Sequence, residues 1–380
     1  MRIMEEVDMA NRRVLIRLDL NVPMHQGIID SSIRIDKALP TIKLALKTAS
    51  NVVIMSHLGR PKEGTFDQKY SLDPVAKYLA QKLDINVSLC RNISDLASLH
   101  SKLILLENVR FNKGESENCE QLSKRYAAMC DIFVMDAFAT AHRAQASTYG
   151  VAKYAPISCM GPLLKREVEF LNFCFSSPKK PVVAIVGGSK VSSKLGVLEN
   201  LANRVDSLIV GGGIANTFLV AANKDVGKSL YEKQLVDRAR AIMDKVEVIL
   251  PSDVVVSTEI SDKSVALKKL VDDIGPDEMV LDIGISSSAR VSKILEASGT
   301  IIWNGPVGVF EIEQFSEGTK SVSAAVSESG AFSIAGGGDT LAAIEKYKIS
   351  ENISYISTGG GAFLKFLENG RLPAIDILNQ

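Results

Sequence analysis

The chain has 380 residues, longer than a single hydrophobic core usually serves, so two domains are expected. Its 46% apolar and 23% charged content is ordinary for a soluble globular protein, and its 44 basic residues balance 44 acidic ones. That balance excludes an overall field for nucleic acid or an anionic membrane, so any anion site has to be local.

The N-terminal stretch, Met1 to Arg13, mixes charges and carries no apolar signal core. Short apolar, β-branched runs then recur along the chain, each leading into Gly, Pro or Asp and a segment of helical period. In the first half they are Val14–Arg17, Asn51–Met55, Ile85–Leu89, Leu103–Leu106 and Asp131–Met135. In the second they are Val182–Val186, Leu208–Val210, Val246–Leu250, Met279–Ile283, Ile301–Trp303, Phe332–Ala335 and Ile353–Ser357. The alternation predicts an α/β protein of two doubly wound, Rossmann-like domains, each a parallel sheet flanked by helices. Ligands of such sheets bind beyond the carboxyl ends of strands, so the residues just past each strand matter most.

In the first half the strand ends carry Asp19 and Asn21, then Ser56-His57-Leu58-Gly59-Arg60-Pro61, then Glu107-Asn108-Val109-Arg110-Phe111, then Asp136 through His142-Arg143. Arg34 stands just before the first long helix, Ile35 to Thr48. Arginines gathered at one sheet edge suit a small polyanion, because their forked donors match carboxylate and phosphate oxygens. Surface arginines paired with nearby acids would be the bland alternative.

Near residue 160 the pattern changes. Gly161-Pro162 opens an amphipathic segment, Leu163 to Phe175, that ends in Ser176-Ser177-Pro178. Bounded by prolines and set between two strand series, residues 161–176 read as an interdomain helix and hinge. Residues 1–160 form the first domain and 161–370 the second.

The second half replaces arginines with glycines. Strand Val182–Val186 runs into Gly187-Gly188-Ser189-Lys190, with Lys194 four residues on; the two lysines are expected to share a helix face. Further glycine clusters stand at Gly211-Gly212-Gly213, Gly284, Gly305 with Gly308, and Gly359-Gly360-Gly361. Gly336-Gly337-Gly338-Asp339-Thr340 lies between an apolar run and a helix-like segment. There backbone N–H groups and the helix field suit phosphate. A carboxylate in that cradle requires a cation, and Mg²⁺ takes one carboxylate together with phosphate oxygens. A glycine turn with Asp and Thr capping a helix is the structural alternative.

Other chemistries are excluded. Gly227-Lys228-Ser229 lacks the first glycine and the leading strand of a P-loop. No G-x-G-x-x-G, H-R-D, D-F-G or H-E-x-x-H pattern is present. The five cysteines, Cys90, Cys119, Cys130, Cys159 and Cys174, are odd in number and form no C-x-x-C pair, which fits a reducing compartment. The longest apolar or small run, Ser207 to Ala222, is too short to span a bilayer. A soluble, cytoplasmic protein is expected.

Five motifs in this order closely resemble the phosphoglycerate kinase family, essentially end to end. They are Arg17-x-Asp19-x-Asn21-Val22-Pro23, Ser56 to Pro61, Glu107 to Phe111, Trp303-Asn304-Gly305-Pro306-Val307-Gly308-Val309-Phe310-Glu311, and Gly336 to Thr340. The resemblance implies reversible phosphoryl transfer between 1,3-bisphosphoglycerate and ADP, giving 3-phosphoglycerate and ATP, by a monomer whose domains close on their substrates. It implies that Asp19 and Asn21 take the hydroxyl and carboxyl end of 3-phosphoglycerate, and His57, Arg60, Arg110 and Arg143 its phosphate side. Arg34, Lys190 and Gly338 would carry the transfer. Lys194 and Gly212, with Gly337, Gly338 and Thr340, would hold the nucleotide phosphates, Glu311 the ribose and Asp339 the Mg²⁺. The tail, Arg371 to Gln380, would return to the first domain.

The chain departs from the family pattern at Met135, Ala139, Gln145, Ser193 and Ile285. Ala139 would be strained if its position required positive φ. None of these changes removes Arg34, Lys190, Lys194 or Asp339. A nucleotide-binding scaffold that has lost turnover would be expected to break one of those charges, and an NAD-dependent dehydrogenase would need the missing fingerprint.

Overall fold

The computed structural model describes residues 1–380, the side chains of Cys174 and Ser176 excepted. It divides into two compact units, Met1–Glu169 with Arg371–Gln380, and Phe170–Gly370.

The first unit is built on eight strands: β1 (Arg13–Leu18), β2 (Met24–His25), β3 (Ile28–Ile29), β4 (Asn51–Met55), β5 (Val87–Cys90), β6 (Leu103–Leu106), β7 (Ile132–Asp136) and β8 (Ile157–Met160). Six of them make a sheet in the order β5-β6-β4-β1-β7-β8, every pairing parallel. β2 and β3 form a separate hairpin. The central strands read as apolar runs because helices cover both faces, and β4, β6 and β7 are almost wholly buried. Val14, Ile16, Val52, Ile54, Leu103, Leu105, Ile132 and Val134 pack one face against Ile35, Ala38 and Ile42 of the helix Ile33–Leu46. The tail closes on the same unit, with the Ala374 N–H donating to the Ala141 carbonyl at 3.1 Å.

The second unit carries β9 (Val182–Gly187), β10 (Ser207–Gly211), β11 (Glu247–Ile249), β12 (Asp253–Ser257), β13 (Leu267–Leu270), β14 (Met279–Ile283), β15 (Thr300–Asn304), β16 (Phe332–Ala335) and β17 (Tyr355–Ile356). Its main sheet is also parallel, in the order β11-β10-β9-β15-β16-β17. The α/β class and the two helix-flanked parallel sheets agree with the pattern of the sequence.

Three details differ from the sequence reading. Met279–Ile283 does not join the parallel sheet; β14 pairs antiparallel with β12, which pairs antiparallel with β13. An apolar run shows that a strand is buried, not which way its neighbour runs. Ile157–Met160 supplies an unexpected sixth strand, its four residues running straight into Gly161-Pro162. The strand expected from Ile85 begins at Val87, because Asp84 takes a left-handed conformation (φ 53°) that ends the preceding helix.

The helix read as Leu163 to Phe175 spans Pro162–Ser176, and the chain passes from one unit to the other within it, between Glu169 and Phe170. Asp136, at the end of β7, holds the start of this helix: its carboxylate accepts from the Leu164 N–H at 2.9 Å and from Thr41 Oγ1 at 2.6 Å. Burial pushes the Asp136 carboxyl up to about 6. A Cβ at Gly161 would lie 2.3 Å from that carboxyl carbon, so the position requires glycine.

Candidate active site

In the first unit the candidate side chains come from loops after β1, β4, β6 and β7, except that of Arg34. Arg34 lies in the first turn of the helix Ile33–Leu46 and not ahead of it, because that helix begins two residues earlier than Ile35. Asp19 and Asn21 lie just past β1. Arg34 Nη1 lies 3.0 Å from Asp19 Oδ2 and donates to the Asn21 carbonyl at 2.9 Å. Asn21 Oδ1 accepts from the Gly59 N–H at 2.8 Å, which joins the first loop to the second. Arg110 donates from Nη1 to the Gly59 carbonyl. Asn108 donates to the Leu58 and Tyr70 carbonyls at 2.7 and 3.0 Å, so the loops after β4 and β6 are one assembly.

His57 is the centre of this assembly. It is buried, and Arg17 Nη2 donates to its Nδ1 at 3.4 Å. Burial, then Arg17, Arg110, Arg143 and Arg34, push its pKa down to about 2, so the ring is neutral. Arg110 is itself lowered to about 10, by burial first and then by Arg143 and Arg17, with Arg60 adding to the effect. Only groups in mutual range repel in this way. Of the arginines expected to act together, Arg34, Arg110 and Arg143 are in electrostatic range of His57, and Arg60 is in range of Arg110.

Sequence reasoning passed over Arg17 as a site residue, and with it Glu115, Ser147 and Tyr126. The Arg17 guanidinium is fully buried, donating from Nε to Ser147 Oγ at 3.0 Å and from Nη1 to the Leu18 carbonyl at 2.5 Å. An arginine inside the apolar run Val14–Leu18 was the available signal, since a fully buried charge requires partners.

In the second unit the loops after β9, β10, β15 and β16 meet backbone to backbone. A Cβ at Gly187 would lie 1.7 Å from the Pro306 carbonyl oxygen, one at Gly212 2.8 Å from that of Gly188, and one at Gly213 2.2 Å from that of Ser189. Gly305 (φ 111°) and Gly337 (φ 103°) hold conformations that side chains disfavour. Thr340 ties these loops: its Oγ1 accepts from the Gly305 N–H at 2.7 Å and donates to the Gly336 carbonyl at 3.0 Å. Asn304 Nδ2 donates to the same carbonyl at 2.6 Å. The Thr340 hydroxyl is thus engaged within the protein.

The helix Gly338–Lys346 begins at this junction. Its first intrahelical bond runs from the Leu341 N–H to the Gly337 carbonyl at 3.0 Å, so the amides of Gly338, Asp339 and Thr340 precede the ladder. Gly338 and Asp339 are exposed, and a Cβ at Gly338 would meet nothing within 4 Å. The helix start is therefore an open row of amides beside one carboxylate. Among the described residues no three His, Cys, Asp or Glu side chains group as a metal cage. A lone exposed Asp339 fits Mg²⁺ only in the form carried by a polyphosphate, with one protein carboxylate and the remaining oxygens from ligand and water.

Lys194 donates from Nζ to the Gly187 carbonyl at 2.5 Å and to the Asn304 carbonyl at 3.0 Å, at the ends of β9 and β15. Burial lowers its pKa to about 8, against the opposing pull of Asp339, which places the two in electrostatic range. Lys190 is exposed and extended (φ −138°), and a 3₁₀ turn, Val191–Ser193, separates it from Lys194. The two lysines do not share a helix face, because the helix begins only at Leu195. Glu311 is exposed beyond β15.

The glycine cluster after β14 has a structural role. Asp253 Oδ2 and Oδ1 accept from the Ser286 and Ser287 N–H groups at 3.0 and 2.7 Å, already filling that helix start. A Cβ at Gly284 would lie 2.3 Å from the Asp253 carboxyl group. Ala139 is unstrained, sitting in a 3₁₀ turn (Phe138–Thr140) and absent from the positive-φ positions. Gln145 is buried and begins the turn Ala146–Gly150, and Ser193 Oγ donates to the Lys190 carbonyl at 2.7 Å. Ile285 is exposed.

A family model described as phosphoglycerate kinase matches residues 4–370. Among solved structures, the phosphoglycerate kinase from Coxiella burnetii is similar at 52% identity with a TM-score of 0.95, over 99% of this chain and 98% of that one. The enzyme from Pyrococcus horikoshii OT3 is similar at 33% identity with a TM-score of 0.81, over 100% of this chain and 98% of that one. A match across nearly the whole length, in sequence and in fold, shows that this chain belongs to the phosphoglycerate kinase family, phosphotransferases with a carboxyl group as acceptor.

Proposed function

We propose that this kinase holds 3-phosphoglycerate, or 1,3-bisphosphoglycerate, on its first unit and Mg-nucleotide on its second. The observation that supports the acid site is the positive charge gathered around His57: Arg17, Arg110, Arg143 and Arg34 all act on the buried ring, and Arg143 and Arg17 also lower Arg110. Asp19 and Asn21 hold the hydroxyl and carboxyl end, and His57, Arg60, Arg110 and Arg143 the phosphate side. A neutral His57 donates from Nε2, because its Nδ1 accepts from Arg17.

The nucleotide phosphates are held by the amides at the start of the helix Gly338–Lys346, with Gly212, Gly337, Lys190 and Lys194 around them and Glu311 at the ribose. Thr340 contributes its amide, while its hydroxyl holds the loops in register. Asp339 holds Mg²⁺, which neutralises phosphate charge when the nucleotide is bound.

In the forward direction a β-phosphate oxygen of ADP attacks the phosphorus of the acyl phosphate, and the bond to the carboxyl oxygen breaks in line. The carboxylate leaves as an ion, so no general acid is needed; in reverse it attacks as an ion, so no general base is needed. What the protein supplies is placement and positive charge on the equatorial oxygens in flight, from Arg34, Lys190 and the Gly338 amide. Transfer requires the two ligand sets to meet and water to be excluded, so we propose closure of the units, with the helix Pro162–Ser176 and the segment near residues 361–372 as hinges.

We further propose a monomer in the cytoplasm. Cys90, Cys119, Cys130 and Cys159 are free thiols, and no helix among the described residues is long and apolar enough to cross a membrane. A coupled assay of 3-phosphoglycerate-dependent ADP formation tests the activity. Absence of turnover with both substrates and Mg²⁺ present would overturn it.

A further inference from the structure

Behind the arginine cluster lies a buried carboxylate that the transfer reaction does not use. Glu115 has no exposed surface, and its backbone is fixed where the Ala146 N–H donates to its carbonyl at 3.0 Å. Ser147 Oγ donates to Glu115 Oε1 at 2.5 Å, and Arg17 Nε donates to Ser147 Oγ at 3.0 Å. Glu115 Oε2, also buried, has no hydrogen-bond partner among the described residues. One hydroxyl thus links a buried acid to a buried arginine that reaches His57.

The groups facing Glu115 are few. Arg17 on β1 favours its ionised form and Glu63 opposes it. Arg110 is in range, since Glu115 raises its pKa. Tyr126 is pushed well above its ordinary 10 by burial and is neutral; its hydroxyl accepts from Asn112 Nδ2 at 3.2 Å. Burial dominates and raises Glu115 to about 7, so at neutral pH the carboxyl is divided between its two forms.

A buried, half-ionised acid behind a cluster of cations responds to any charge brought into that cluster. With the cluster empty, ionised Glu115 balances Arg17. A dianion among the arginines adds negative charge, and the carboxylate then becomes the group easiest to neutralise. Hydrogen bonding to Ser147 survives protonation, because Oε1 remains an acceptor.

We propose that Glu115 is a positioning residue of the anion site: through Ser147 it fixes the Arg17 guanidinium, and it takes up a proton when a dianion settles among the arginines. This rests on reading the cluster as an anion site. The consequence is that the site binds its anion more weakly as pH rises through neutrality, independently of the ligand's own titration.

Inorganic sulfate is the suitable probe, because it stays a dianion throughout the range. Its binding to the full chain is followed by calorimetry in buffers of unlike ionisation enthalpy, counting only the heat lost in Arg110→Ala. If the bound dianion makes the carboxyl ten-fold harder to ionise, about 0.4 of a proton is taken up per sulfate near pH 7. Affinity then falls about five-fold between about pH 6 and pH 8. Glu115→Gln should abolish the uptake, flatten the pH dependence and bind more tightly than the parent near pH 8. Ser147→Ala provides an independent check. It removes a bond that favours ionised Glu115, so the pH of greatest uptake should rise, while loss of the Arg17 tether weakens binding at every pH. Uptake unchanged in Glu115→Gln would assign the proton elsewhere, His57 first, and overturn the proposal while leaving the anion site standing. An unmoved maximum in Ser147→Ala would also overturn it. Sulfate heat indifferent to Arg110→Ala would remove the anion-site reading itself.

Discussion

Arg34 Nη1 is shared between the Asp19 carboxylate, 3.0 Å away, and the Asn21 carbonyl, 2.9 Å away, so the residues proposed to hold the acid also hold the arginine proposed to act in transfer. The Arg34 side chain is 38% exposed and that of Asp19 14%, and an ion pair with one partner this open to water contributes modestly to stability, about 1 kcal/mol. A ligand can therefore take Arg34 from Asp19 at small cost.

Arg34→Ala should lower kcat by about 100-fold or more, the usual effect of losing one donor aimed at developing charge. The dissociation constant of 3-phosphoglycerate should change by less than about ten-fold, because the other cations remain. Steady-state kinetics with calorimetry on the same preparation separate the two. An unchanged kcat would remove Arg34 from the transfer step.

Asp339→Ala should weaken Mg-nucleotide binding by about ten-fold or more and leave 3-phosphoglycerate binding within about two-fold, since one surface carboxylate is lost from one unit. Its exposure means that Tm should stay nearly constant. Equal losses at both ligands, read by calorimetry, would contradict the division of substrates between units.

Two neighbouring glycines should respond differently. In Gly337→Ala the added Cβ meets Asn304 Nδ2 at 2.7 Å on a backbone at φ 103°, so stability should drop by about 1–3 kcal/mol. In Gly338→Ala the Cβ enters open space at the first turn of a helix, so stability should hold. The same methyl would stand where phosphate approaches, and kcat should fall. Thermal melts and kinetics on both variants check the contrast; a fully active Gly338→Ala would exclude its amide from the reaction.

Asp282 makes stability depend on pH. Its carboxylate accepts from the Gly318 and Ile283 N–H groups at 2.6 and 2.9 Å, yet burial pushes it up to about 7 from an ordinary 3.8. Between those values the folded chain keeps a proton that the unfolded chain has released. The stability tied to that proton is complete below about pH 4 and is lost as pH rises through about 7. Tm should therefore fall by a few degrees from about pH 5 to about pH 8, and Asp282→Asn should reduce the slope. Asp136 and Glu115, raised to about 6 and about 7, keep part of it. An Asp282→Asn melt as pH-dependent as the parent would refute the assignment.

Much of the architecture was legible because its signals are local. Runs such as Leu103–Leu106 and Phe332–Ala335 coincide with β6 and β16, since a strand covered on both faces needs unbroken apolar residues. Local pattern failed where direction or company mattered. Met279–Ile283 is as apolar as its parallel neighbours, and only its pairing with β12 makes it antiparallel. The lysine spacing suggested a helix face that a 3₁₀ turn removes.

By itself the chain determined which groups stand at strand ends: arginines in one half, glycines and Asp339 in the other. Residue type and strand period are properties of neighbours in sequence. Only the tertiary structure decided that Arg17 and Glu115 share one hydroxyl, that Thr340 closes Gly305 onto Gly336, and that Asp253 already fills the helix start at Ile285. Those relations join residues far apart in the chain, and burial, which converts proximity into pKa shifts and fixed hydrogen bonds, exists only once the sheets are assembled.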